Sequence, residues 1–148
     1  MKIFIDADGS PVVDITTNIA MEYNIELIIV KNYAHDIYND YATIISVDIG
    51  KDSADQFIVN HAQENDLVIT QDYGLAALLL SKQVKVINQN GLIYNNDNID
   101  SLLNRRFLNA KARSQNKRHP NIKKRSSLDD ENFSKTLNSI ILNEIRND

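Results

Sequence analysis

Cysteine is absent from this 148-residue chain, proline occurs twice and glycine four times. Without cysteine there is no disulfide scaffold, no thiolate zinc site and no cysteine nucleophile. So few prolines and glycines exclude a low-complexity chain. Long apolar runs are missing too: the longest, Leu75 to Leu80, is far too short to cross a bilayer, so no membrane partner is expected. At the N-terminus Asp6 and Asp8 interrupt the only stretch that resembles a signal-peptide core, which makes the cytoplasm the expected location. Neither phosphate loop, GxxxxGK or GxGxxG, occurs. What is present is ordinary for one globular domain, and a chain of this length buries roughly 70% of its unfolded surface without needing a crosslink or structural metal.

Charge is unevenly distributed. The formal net charge is -4, yet residues 1–100 carry 5 basic and 15 acidic side chains, whereas residues 101–128 carry 9 basic ones and no acid. The basic set is Arg105, Arg106, Lys111, Arg113, Lys117, Arg118, Lys123, Lys124 and Arg125. Segregation on this scale points to an anionic partner, or to docking of the basic stretch on the chain's own acidic part.

Short apolar strands alternate with helices. Lys2 to Ile5, Glu26 to Lys31, Thr43 to Val47, Leu67 to Thr70 and Val84 to Asn88 read as strands. Helices are expected from Ser10-Pro11, as N-cap and first helical position, to about Asn24, then from Asp52 to about Asn65, Tyr73 to Lys82 and Asn98 to about Asn109. This alternation implies βαβ units with right-handed crossovers, hence a three-layer α/β/α fold with a mainly parallel sheet of four or five strands. The basic, apolar-poor stretch that follows is expected to lack fixed structure when alone. A last helix starts near Asp129, with Phe133, Leu137, Ile140, Ile141 and Ile145 on one stripe that packs on the domain or on a second subunit.

In such sheets, sites form beyond the carboxyl ends of the strands. Carboxylates occupy those places here: Asp6 and Asp8 after the first strand, Asp48, Asp52 and Asp55 after the third, Asp72 after the fourth. Asp6 and Asp8 are two apart on an extended segment, so they share a face at about 7 Å. Hard oxygen ligands gathered at one edge suit Mg²⁺ or Mn²⁺. Capping explains some of the same residues, since Asp52 with Asp55, and Asp72, all sit at helix starts. Asp6 ends a strand and has no helix to cap. His35, His61 and His119 are scattered and show no zinc spacing, and Ser10 reads as a cap rather than a nucleophile. Tyr33, Tyr38 and Tyr41 are candidates for stacking on bases or for covering the edge of a core.

Two resemblances attach to these residues. Asp6-Ala7-Asp8-Gly9-Ser10 resembles the opening motif of haloacid dehalogenase-like phosphatases, which implies Asp6 as nucleophile and Asp8 as general acid. A longer one runs through Asp6 to Val12, Gly50 to Asp55, Asp66 to Asp72 with Leu75 to Ala77, and Asn88 to Ile99. These four segments, in order and at matching spacing, resemble the YaiI/YqxD family of small bacterial proteins, assigned to the PIN-like nuclease superfamily. That resemblance implies a PIN-like fold for the α/β domain over 1–110; the composition adds a basic loop over 111–128 and a C-terminal helix over 129–148 that packs on the domain. It also implies an acidic cluster of Asp6, Asp8, Asp55 and Asp72, with Asp52 nearby, that is both catalytic and metal-binding. This chain has Ser10 where the family usually has cysteine, and a Lys/Arg-rich stretch where the family is Gly/Pro-rich. The expected activity is metal-dependent phosphodiester hydrolysis on RNA or single-stranded nucleic acid, with Mg²⁺ or Mn²⁺ as cofactor and the nine basic residues as phosphate contacts. A non-catalytic RNA- or ribosome-associated protein, and a small phosphatase, are the alternatives. A homodimer through the C-terminal helix is a further expectation.

Overall fold

The structure is a computed structural model that describes residues 1–32, 36–48, 53–114 and 124–147. Its elements are β1 (Lys2–Asp6), α1 (Val13–Tyr23), β2 (Glu26–Asn32), β3 (Thr43–Val47), α2 (Ser53–His61), β4 (Leu67–Ile69), α3 (Tyr73–Ser81), β5 (Lys85–Ile87), α4 (Ile99–Ser114) and α5 (Ser127–Arg146). The strands form one sheet in the order β3-β2-β1-β4-β5, and every pairing is parallel. Strand order therefore reverses between β1 and β4, the place where parallel α/β sheets open a crevice at their carboxyl edge.

The continuous apolar runs in β1, β2 and β4 follow from burial on both faces. Ile3, Ile5, Leu27, Ile29, Leu67 and Ile69 point into one core with Ile19 and Ala20 of α1 and Phe133, Leu137 and Ile141 of α5. Phe4, Val30, Val68 and Val86 point into the other, with Ile58 of α2, Leu75 and Leu79 of α3 and Ile99 of α4. The result is the expected α/β architecture with a C-terminal helix as part of one outer layer.

Several element ends differ from the sequence expectation, each for a local reason. Helix α1 begins at Val13 rather than at Ser10-Pro11, because the chain first reverses in a turn in which Ser10 N donates to Ala7 O at 3.0 Å and Gly9 adopts φ +75°. Ser10 caps no helix; its hydroxyl accepts from Val12 N at 3.4 Å. Helix α2 ends at His61, since the buried Asp66 carboxylate accepts from Gln63 N and from Lys2 N, both at 2.9 Å, and so draws the chain into β4. Helix α4 runs on to Ser114, past Asn109, so the start of the basic stretch is helical.

Helix α5 is tied to the domain at three points. Gly91, at φ +84°, lies so close that a Cβ there would sit 2.5 Å from Asn132 O, a position that no other residue can occupy undisturbed. Thr136 Oγ1 donates to Gly91 O at 2.9 Å, and Lys85 pairs with Glu144 at 2.8 Å. The apolar stripe is used within the chain: Phe133, Leu137 and Ile141 are fully buried, whereas Ile145, on the same predicted stripe, is 51% exposed. Among the described residues no helix is long and apolar enough to cross a membrane.

If α5 is integral to the core, Phe133→Ala should cost about 3–5 kcal/mol of unfolding free energy, whereas Leu128→Ala, on an exposed side chain, should change it by less than about 0.5 kcal/mol. Urea unfolding of the two variants measures both.

Candidate functional site

The reversal point places Asp6, the last residue of β1, beside the segment that leaves β4. Thr70 joins the two sides: its hydroxyl donates to Asp6 Oδ2 at 2.9 Å and accepts from Asp72 N at 3.0 Å. Thr70 is itself fixed, buried, with its N donating to Ile87 O at 3.1 Å and its O accepting from the Tyr94 hydroxyl at 3.3 Å. The Tyr94 ring is buried and meets Tyr73 edge to face at 6.0 Å. Burial, reinforced by Tyr73 and then Asp72, pushes the Tyr94 hydroxyl far above its ordinary range, so it stays protonated and acts as a donor.

Asp72 both caps a helix and borders the site. Its Oδ1 accepts from Gly74 N at 2.9 Å and from Leu75 N at 3.2 Å, closing the N-terminus of α3. Arg106 of α4 stands 3.6 Å from the same oxygen. Asp8 turns the other way, toward β2, where its oxygens accept from Asn32 N at 3.3 Å and Asn32 Nδ2 at 3.0 Å. Asp6 and Asp8, expected on one face of an extended segment, are thus held by opposite neighbours of β1, because β1 ends at Asp6 and Asp8 already lies in the turn. Asp55, in the first turn of α2, borders the cleft that Asp72, Gly74, Leu78 and Arg106 line. Asp52 lies outside the described residues.

Burial, the largest influence, raises the Asp6 carboxyl above its ordinary value; the Thr70 hydrogen bond opposes this, and repulsion from Asp72 and then Asp8 adds to it. Three carboxylates therefore crowd one sheet edge. Among the described residues, however, no three Asp, Glu or His side chains converge closely enough to hold a single ion between them.

The basic residues divide. Arg105 and Arg106 are exposed on α4, Arg106 at the cleft, with Lys111 further along the same helix. Arg113 also lies in α4. Lys117, Arg118 and Lys123 lie outside the described residues, as do Tyr33, His35 and His119. Lys124 borders a second groove, beside Gly9, Gln71 and Asn90. Arg125 is tied into the fold: Nε donates to Asp130 Oδ1 at 2.8 Å, one terminal nitrogen to Asn90 Oδ1 at 2.7 Å and the other to Gln89 O at 2.8 Å. Such a guanidinium fastens the start of α5 to the turn after β5. His61 stacks on Phe57 at 4.0 Å and bonds Phe57 O through Nδ1, a structural placement. Tyr41 covers the core edge, its hydroxyl donating to Ile25 O at 2.5 Å, while Tyr38 is 93% exposed.

A parallel 3-2-1-4-5 sheet with carboxylates crowded at its reversal point defines a class of α/β protein that gathers an acidic site at the sheet's carboxyl edge. The chain belongs to the YaiI/YqxD family, whose description as uncharacterised assigns no activity; the match covers residues 4–143. Its relatives include a UPF0178 protein of Natranaerobius thermophilus, 46% identical over 142 residues that cover 96% of this chain and 97% of that protein. Another, from Alkaliphilus oremlandii, is 47% identical over 137 residues, covering 93% of this chain and 88% of its own. No solved structure matches the chain.

A carboxyl raised by the fold makes folding less favourable as it ionises. For Asp6 that cost is absent below the ordinary carboxylate range, grows as pH rises through it and is complete above the raised native value. Asp6→Asn, which keeps an acceptor for Thr70, should therefore have a higher Tm than the parent protein at neutral pH, and the difference should vanish near pH 3, as scanning calorimetry across pH would measure. Thr70→Val should raise the Asp6 pKa further, read from its carboxylate carbon chemical shift.

Proposed function

We propose that the crevice at Asp6 and Asp72 is the centre of a Mg²⁺- or Mn²⁺-dependent phosphodiesterase of PIN-like type, acting on RNA or another single-stranded nucleic acid. The supporting observation is the place of the half-buried Asp6 carboxylate at the sheet reversal, where the Thr70 hydroxyl links it to the backbone of Asp72 and the Asp72 and Asp8 carboxylates repel it. A divalent cation relieves such repulsion, and Mg²⁺, which keeps several waters, requires only one or two carboxylates. Asp6 and Asp72 are the pair for that role, with Asp8 and Asp55 as further oxygen donors; Asp52, the remaining candidate, lies outside the described residues. When bound, the cation lowers the pKa of a water and stabilises charge on a scissile phosphate. The protein's own part is positional: the Thr70 hydroxyl orients the Asp6 carboxylate, the cap at α3 orients Asp72, and Arg106 offers a phosphate its guanidinium at the mouth of the cleft. Arg105, Lys111 and Lys124 are exposed and add to that positive charge, and Arg113, Lys117, Arg118 and Lys123 complete the basic set in the sequence. Arg125 is left out, since its guanidinium already serves Asp130, Asn90 and Gln89.

A second reading, a non-catalytic RNA- or ribosome-associated protein, has one observation in its favour: among the described residues no group of three metal-ligating side chains converges. The phosphatase alternative rests on the five residues Asp6 to Ser10.

With Mn²⁺ present, the protein should cleave a mixed RNA, and Asp6→Asn should lose that cleavage. Mn²⁺ at about 100 times its Kd should also stabilise the parent protein by about 2.7 kcal/mol and Asp6→Asn by much less. Equal cleavage by both proteins, or by neither, defeats the catalytic reading; salt-sensitive RNA binding that survives Asp6→Asn without cleavage establishes the second one.

A further inference from the structure

Helix α4 changes character halfway along. Its first turns belong to the core: Ile99 is buried, and Leu102 and Leu103 pack beneath it against the layer that contains α3. One turn after Leu103 the same face continues as Arg106 and Phe107, and every residue from Asn104 to Lys111 is exposed. Phe107 is 65% and Leu108 54% exposed, so a ring and a leucine stand in solvent next in the helix to Arg106. Arg106 joins this face directly to the acidic cleft, where it meets Asp72 at 3.6 Å through a largely exposed contact that a phosphate can displace.

We infer that the second half of α4 is the docking surface for an unpaired nucleic-acid strand approaching the cleft, with the Phe107 ring stacking on a base and Arg106 contacting a flanking phosphate. This rests on the polyanion reading above and adds to it a base-stacking residue and a preference for single strands. Charge complementarity favours a polyanion, and a nucleic acid over an acidic protein surface, since an exposed ring follows the Arg106 cation, the combination by which bases and phosphates are held together in single strands. A duplex hides its base faces and cannot use Phe107.

The test is binding of a fluorescein-labelled 12-nucleotide RNA and of its duplex, in EDTA, where no cleavage occurs and the result is independent of catalysis. The parent protein should prefer the single strand. Phe107→Ala should weaken binding by about 5- to 150-fold, the value of one base–aromatic stack, without changing the salt dependence, and Phe107→Tyr should restore it. Arg106→Gln should lower the slope of log Kd against log salt by about 0.7, one phosphate contact on a single strand. Because Phe107 is exposed, an unchanged Tm will show that these variants fold. Duplex bound as tightly as single strand, no RNA binding at all, or Phe107→Ala equal to the parent overturns the inference; so does a Phe107→Ala variant that only converts a dimer to a monomer. RNA cleavage unaffected by Phe107→Ala would leave the catalytic reading standing and this one refuted.

Discussion

The Thr70 hydroxyl is the contact on which the acidic edge depends. A carboxylate ending the largely apolar strand β1 faces a desolvation cost, and the Thr70 hydroxyl, just past the end of β4, lowers it by donating to Asp6 while it receives Asp72 N. That one side chain sets the spacing between the two sides of the sheet reversal. It can do so because its own backbone is held twice, by Ile87 and by the Tyr94 hydroxyl. The chain from Tyr94 through Thr70 to Asp6 links the turn after β5 to the tip of β1, so the site is braced by residues distant from one another in sequence. A protein selected only for stability would place an apolar residue at position 6. Retaining a raised carboxyl there is the pattern that sites of ligand binding or catalysis show.

The second organising feature is the separation of charge, and the structure resolves it into parts with different work. Arg125, paired with Asp130 of α5, fastens the start of the last helix to the body through Asn90 and Gln89, and Lys85 with Glu144 does the same further along. Arg105 and Arg106 instead stand exposed on a helix that leaves the core after Leu103, Arg106 next to Asp72. A single count of nine basic residues therefore joins structural cations to exposed ones. Their difference lies in how many of their donors the fold already engages.

Much of the fold was legible because its signals are local. Apolar runs of β-branched residues separated by helical spacing define a buried parallel sheet, and the stripe Phe133, Leu137, Ile141 defines a helix with one inward face. Asp72 as a cap was legible from its place before Tyr73-Gly74-Leu75. The end of α1 at Ser10 was misread, since a Ser-Pro pair carries the same signal in a tight turn as at a helix start. Thr70, Asn32 and Tyr94 escaped notice: a threonine, an asparagine and a tyrosine have no distinctive local pattern, and their roles exist only through partners 24 to 64 residues away. Phe107 was hidden for the opposite reason, because an apolar residue in a helix is read as core unless its neighbours are known.

By itself, then, the sequence determined the class of the fold, the presence of carboxylates after β1 and β4 and the concentration of cations after residue 100, all properties of residue type and spacing. Only the tertiary structure decided which carboxylates meet. Strand order brings β4 beside β1 and leaves β3 at the far edge, so Asp6 is paired through Thr70 with Asp72, whereas Asp8, two residues from Asp6, is drawn to Asn32. Side-chain proximity at a sheet edge is set by which strands are neighbours, and that depends on how the whole chain buries its two apolar faces.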